Sequence, residues 1–157
     1  MILILCGPPG VGKTTVAERL QSRLRDEGRD FRLLHSDDFS RNTYEQLYER
    51  VTEADPATDW ILDGTFYRRE YQERFRDLPD AHLARLSASR ETALERNRAR
   101  EEPIDDRGVH AMFGEFEEPR NPDLTLDTEE LSVEEAVGAL VRYVQTWADS
   151  PPDSRRG

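Results

Sequence analysis

The segment Gly7-Pro8-Pro9-Gly10-Val11-Gly12-Lys13-Thr14 follows the pattern G-x-x-x-x-G-K-[ST], and it constrains the fold more than any other part of the chain. Such a loop needs glycines so that successive backbone N–H groups can point inward. It also needs a following helix whose positive end faces the same anion. Both flanks are present. Residues 1–6 form a continuous apolar run bounded by glycine, the character of a strand buried on both faces of a parallel sheet. Beyond the loop, Val16, Leu20 and Leu24 recur every fourth residue with Ala17 beside them, which predicts a helix ending near Gly28.

The rest of the chain alternates in the same way. Residues 31–35, 60–64, 81–86 and 124–126 read as four further strands. Helices are expected over 43–53, 68–76 and 90–100, with Ser89 as the cap of the third. Ser132-Val133-Glu134-Glu135 has the form of a capping box. It opens a last helix whose stripe is Val133, Val137, Leu140, Val141, Val144 and Trp147. Strand and helix in alternation predict an α/β fold, a five-stranded parallel sheet with helices on both faces. The expected organisation is one P-loop domain over 1–149 with a short lid, followed by a flexible tail over 150–157. In such folds ligands bind beyond the carboxyl ends of the strands, so chemistry is expected in the loops after residues 6, 35 and 63.

Composition narrows the partners. A formal net charge of −11 argues against a long nucleic-acid footprint, and 21 of the 22 basic residues are arginine. The only lysine is Lys13, inside the phosphate-binding pattern. An acidic, nearly lysine-free surface resembles halophilic proteins adapted to a salt-rich cytosol, and arginine-biased codon usage accounts for the missing lysine equally well. Cys6 is the single cysteine and is expected to pack, without a disulfide or a metal. The apolar run at 1–6 is too short for a signal peptide or a membrane span, so a cytoplasmic protein is expected.

The chemistry follows from residue types at these loops. Gly7, Pro8, Pro9, Gly10, Val11, Gly12, Lys13, Thr14 and Thr15 are the expected ATP-binding set, with Lys13 reaching the β- and γ-phosphates and Thr14 on Mg²⁺. Asp63 ends an apolar strand as a Walker-B-type carboxylate does, which makes it the second metal-holding candidate; an ordinary Asp-Gly turn is the alternative. Asp37 is the expected catalytic carboxylate toward an acceptor hydroxyl, with Asp38 beside it in acceptor binding; either could instead cap a helix. Arg96 and Arg100 lie four residues apart with Arg98 between them. They are expected to stabilise the transferring phosphoryl group from a lid, against the alternative of a solvated face paired with Glu95, Glu101 and Glu102. Arg41 and Arg68 are expected to clamp an anionic acceptor, and Phe66 to stack on it. His35, His82 and His110 have no ligand-like spacing and read as structural or surface residues.

The chain resembles the small P-loop kinases grouped with adenylylsulfate kinase, and it is similar to the kinase that phosphorylates seryl-tRNA. The first resemblance rests on residues 117–128, Glu-Glu-Pro-Arg-Asn-Pro-Asp-Leu-Thr-Leu-Asp-Thr, and the second on residues 100–119. The acceptor segments depart from the family. Ser36-Asp37-Asp38-Phe39-Ser40-Arg41 lacks the first acid of the adenylylsulfate kinase loop, Asp63-Gly64-Thr65-Phe66-Tyr67-Arg68 replaces its acceptor segment, and the lid is shorter. The resemblance implies an ATP- and Mg²⁺-dependent kinase, monomeric or homodimeric, acting on a small anionic, nucleotide-like acceptor such as adenylylsulfate. Aminoacyl-tRNA is the alternative acceptor, and an NTPase acting on a partner is the alternative class.

Overall fold

A computed structural model of the chain describes residues 1–101 and 103–149. Its first strand, β1 (Ile2–Cys6), is buried at every position. Helix α1 (Lys13–Asp26) follows the glycine-rich loop, and β2 (Phe31–His35) leads into a short 3-10 turn at Ser36–Asp38. Next come α2 (Thr43–Glu53), β3 (Asp59–Gly64), α3 (Arg69–Arg76), β4 (Ala81–Ser87) and α4 (Arg90–Arg98). Helix α5 (Asp106–Glu115), β5 (Leu124–Asp127) and α6 (Val133–Asp149) complete the fold.

The five strands form one parallel sheet in the order β2-β3-β1-β4-β5. Its two faces are read directly from the alternation along β1. Leu3 and Leu5 point to the side covered by α1 and α6, where they meet Leu20, Leu24, Val137 and Leu140. Ile2, Ile4 and Cys6 point to the other side, where Leu47 and Val51 of α2 and Phe75 of α3 cover them. This two-sided burial is why β1 carries no polar residue. The strand order reverses at β1, between β3 and β4, so the loop after β1 opens at the switch point where a parallel sheet leaves a crevice.

The capping box is formed. The Ser132 side chain accepts from the Glu135 backbone N–H, and the Glu135 carboxylate accepts from that of Ser132, both at 3.1 Å. Ser89 likewise caps α4 through the Thr92 N–H. Two expectations need correction. The helix expected to run to residue 100 ends at Arg98, so Arg100 lies just beyond it. The segment expected only as a short lid contains a ten-residue helix, α5, capped by Asp105, whose side chain accepts from the Arg107 N–H. Glu102 and the tail expected over 150–157 lie outside the described residues.

Candidate active site

The loop after β1 is built on glycines that other residues could replace only under strain. Gly10 and Gly12 have φ of 85° and 94°, and a Cβ on Gly10 would come 2.5 Å from the carbonyl oxygen of Ala93 on α4. Gly12 is also the residue before α1, so the helix begins at Lys13 and its free N–H groups face the loop. Lys13 is buried and its Nζ donates to the Pro8 carbonyl at 2.9 Å, closing the loop on itself. Burial pushes the Lys13 ammonium below its ordinary value, and the Asp63 carboxylate acts against that displacement.

The Thr14 hydroxyl donates to Asp63 Oδ2 at 2.8 Å, although 49 residues separate them. Parallel pairing makes this contact, since Leu5 of β1 stands opposite Asp63 of β3. His35, the last residue of β2, stands opposite Asp63 on the other side, and its Nδ1 lies 2.7 Å from the same Oδ2. The Asp63 hydrogen bond raises the His35 pKa above the usual imidazole value, with burial working in the opposite direction. The expected reading of His35 as a structural or surface residue did not foresee this contact. The signal lay in two strands ending at the same level, which is invisible until the strand order is known.

Arg96 is half-buried and fixed. Its guanidinium donates to the Thr128 hydroxyl at 2.9 Å and to the Thr128 carbonyl at 2.8 Å, and it lies across from Gly12. Thr128, buried after β5, in turn donates to the carbonyl of Val11 at 2.8 Å or that of Ser87 at 3.1 Å. It therefore ties the phosphate-binding loop, the end of β4 and Arg96 together, a role that its place at the end of the 117–128 segment did not reveal. Arg98 turns the other way and pairs with Asp106.

A cavity of about 740 Å³ opens beside the loop. Pro9, Gly10, Gly12, Lys13, Thr14 and Thr15 form its floor, Asp63 and Asp37 one wall, and Arg96 and Arg100 another. Ile104, Gly108, Ala111 and Met112 close it from the α5 side. A second cavity of about 420 Å³ adjoins it across Gly12, Thr15 and Arg96, and runs between Val16 and the start of α6 at Ser132 and Val133. Asp38, Arg41 and Arg68 do not line either cavity, and all three are exposed. The Arg68 guanidinium lies 5.6 Å from the Tyr67 ring centroid.

Phe66 corrects the expectation of a stacking platform. Its ring is fully buried, 4.8 Å from Tyr44 and 5.2 Å from Phe75 between centroids, and its backbone is held at φ 46° by the Tyr44 hydroxyl. The ring belongs to the core under α2 and α3, because apolar burial outcompetes exposure at the mouth.

With the loop, the Thr14–Asp63 contact and the two cavities in view, comparison with known proteins becomes informative. A family described as an AAA domain matches residues 2–119. The chain belongs to that family. No curated protein matches this AAA-domain chain. Among solved structures it is similar to the protein APE1195, with 25% identity over 93% of this chain and 95% of that one, at a TM-score of 0.72. It is also similar to the APS kinase CysC of Mycobacterium tuberculosis, in complex with AMPPNP and APS, with 17% identity over 92% and 96% of the two chains at a TM-score of 0.73. Kti12 of Chaetomium thermophilum, in complex with ADP-AlF3, matches with 18% identity over 90% and 98% at 0.71. The last two likenesses are in fold. The AAA-domain chain thus has a P-loop, kinase-type nucleotide-binding fold in a single domain. Among the described residues no helix is long and apolar enough to cross a membrane.

Proposed function

We propose that the protein is an ATP- and Mg²⁺-dependent phosphotransferase that moves the γ-phosphoryl group to a hydroxyl of a small acceptor. The observation that carries this reading is convergence on one cavity of Lys13, Thr14, Asp63, Asp37, Arg96 and Arg100, drawn from four separate segments. Loop N–H groups and the α1 N-terminus hold the β- and γ-phosphates, and contact with them favours the charged form of Lys13, which burial opposes. The nucleoside then extends past Gly12 and Thr15 into the smaller cavity, whose apolar residues Val16, Leu131 and Val133 suit a base.

The metal fits the residues present. Thr14 and Asp63 offer two hard oxygen donors side by side, and no group of three or more His, Cys, Asp or Glu among the described residues could hold an ion alone. That donor set suits Mg²⁺, which keeps waters and takes phosphate oxygens as its remaining partners. When bound, the ion would neutralise charge on the phosphate oxygens. Asp37, on the turn after β2, faces the cavity and accepts the proton of the attacking hydroxyl. Arg96, oriented by Thr128, and Arg100 offset charge on the transferred group.

An adenylylsulfate acceptor was expected to rest on Arg41, Arg68 and Phe66, none of which lines the cavity. What supports the reading is therefore the phosphotransfer machinery, with the acceptor defined as a small hydroxyl compound. Steady-state kinetics test the division of roles. Asp63→Asn should raise the Mg²⁺ requirement, whereas Asp37→Asn should lower kcat by about 10²–10⁴-fold with Mg-ATP affinity retained. Equal weakening of Mg-ATP by both substitutions and no other effect would contradict it.

A further inference from the structure

The chemistry of the cavity wall says what kind of acceptor belongs there. On the phosphotransferase reading above, on which this inference rests, the floor and the Arg96 side are taken up by the triphosphate. The remaining surface is formed by the turn after β2, the loop after β3 and the inner side of α5. Ser36, Asp37 and Thr65 supply its polar atoms. Ile104, Ala111 and Met112 supply its apolar ones. Lys13, Arg96 and Arg100 are the only cations among the described residues of the lining. Lys13 is buried against the phosphate loop and Arg96 is anchored on Thr128, so both are committed to the nucleotide side. Arg41 and Arg68, the arginines expected to clamp an anion, stand outside the lining.

We propose that the acceptor is an uncharged hydroxyl compound with an apolar flank, its hydroxyl directed to Asp37 and its flank laid on Ile104, Ala111 and Met112 of the α5 side. A dianionic acceptor entering this space would meet the Asp37 carboxylate and the γ-phosphate with no uncommitted counter-charge on the wall apart from Arg100, which the transferred group needs. An uncharged acceptor carries no such penalty and gains from covering the apolar side of α5. The transfer is balanced without a co-reactant. The acceptor oxygen forms a bond to the γ-phosphorus, the bond to the β–γ bridging oxygen breaks, the hydroxyl proton goes to Asp37, and ADP leaves.

The test is a matched panel given to the full chain with Mg-ATP. Uncharged nucleosides, alkyl glycosides and aryl diols are each paired with a phosphate, sulfate or carboxylate counterpart, adenylylsulfate included. Phosphate ester formation is measured, and Mg-ATP binding is followed separately with a fluorescent ATP analogue. The expected result is a kcat/KM about a hundredfold higher for the uncharged member of at least one pair. Ala111 is exposed, so Ala111→Arg can place a cation on the wall. It should narrow that ratio at least about tenfold while nucleotide affinity holds. Preference for the anionic members would overturn the acceptor class and leave the phosphotransferase reading standing. Mg-ATP binding with no ester from any member would overturn both.

Discussion

Lys13 shows how much one residue can carry in a chain otherwise free of lysine. Its ammonium is buried where only the Pro8 carbonyl and nearby carboxylates compensate it, an arrangement that costs stability until a polyphosphate arrives. Lys13→Ala should therefore leave the circular dichroism spectrum unchanged and the nucleotide-free thermal melt no lower than wild type while abolishing phosphotransfer; an active variant would contradict the loop's role. Asp80 illustrates the opposite balance. Burial would raise its pKa, but hydrogen bonds from His82 and Trp147 and the charge of the Met1 ammonium outweigh burial and hold it below the usual value of 3.8. A depressed folded pKa contributes stability above the unfolded value, and that contribution is lost as pH falls through the folded one. Asp80→Asn, which keeps a side chain tolerant of the φ of 56° found here, should lower Tm at neutral pH. The difference from wild type should begin to shrink as pH falls below about 3.8 and close once pH has passed the lower folded pKa, and a gap that does not shrink with acid would contradict the electrostatic origin.

At the scale of elements, the parts with strong periodicity were legible before any coordinates. Strand β1, helix α1 and the capped helix α6 follow from an apolar run, a four-residue repeat and a reciprocal cap. Helix α5 was not legible. Gly108 and Gly114 weaken it by about 1 kcal/mol each relative to alanine, and Asp105 reads equally well as a turn residue. Its signal was present in the spacing of Val109, Met112, Phe113 and Phe116, which only has meaning once a neighbouring surface exists. That surface is supplied in part by Asn97, fully buried on α4, whose side chain donates to the Ile104 carbonyl and accepts from the Ile104 N–H at 3.1 Å. Asn97→Ala strands the backbone of the segment entering α5 and should cost about 1–3 kcal/mol. Hydrogen exchange should then accelerate over 103–116 and stay unchanged in β1. Uniform acceleration across the sheet would instead mark Asn97 as a general core residue.

For the whole molecule, topology explains which site residues sequence reasoning could reach. Lys13 and Thr14 sit within one motif, Asp63 lies at the end of β3 and Asp37 in the turn just after β2, so each could be named from its local pattern. His35 and Thr128 join the site only because β2 lies beside β3 and β5 beside β4, adjacency that no local pattern encodes. Phe66 failed for the converse reason, since its neighbours on α2 and α3 claim it for the core. The sheet thus acts as a jig that brings carboxylates, a lysine and arginines to one mouth, and the central claim is that they transfer a phosphoryl group and do not merely hydrolyse ATP. Phosphorus NMR of the full chain with Mg-ATP and a pool of uncharged hydroxyl compounds tests this most directly. The account predicts a phosphomonoester resonance growing in step with ADP, whereas ADP accompanied by an equal amount of inorganic phosphate and no ester would contradict it.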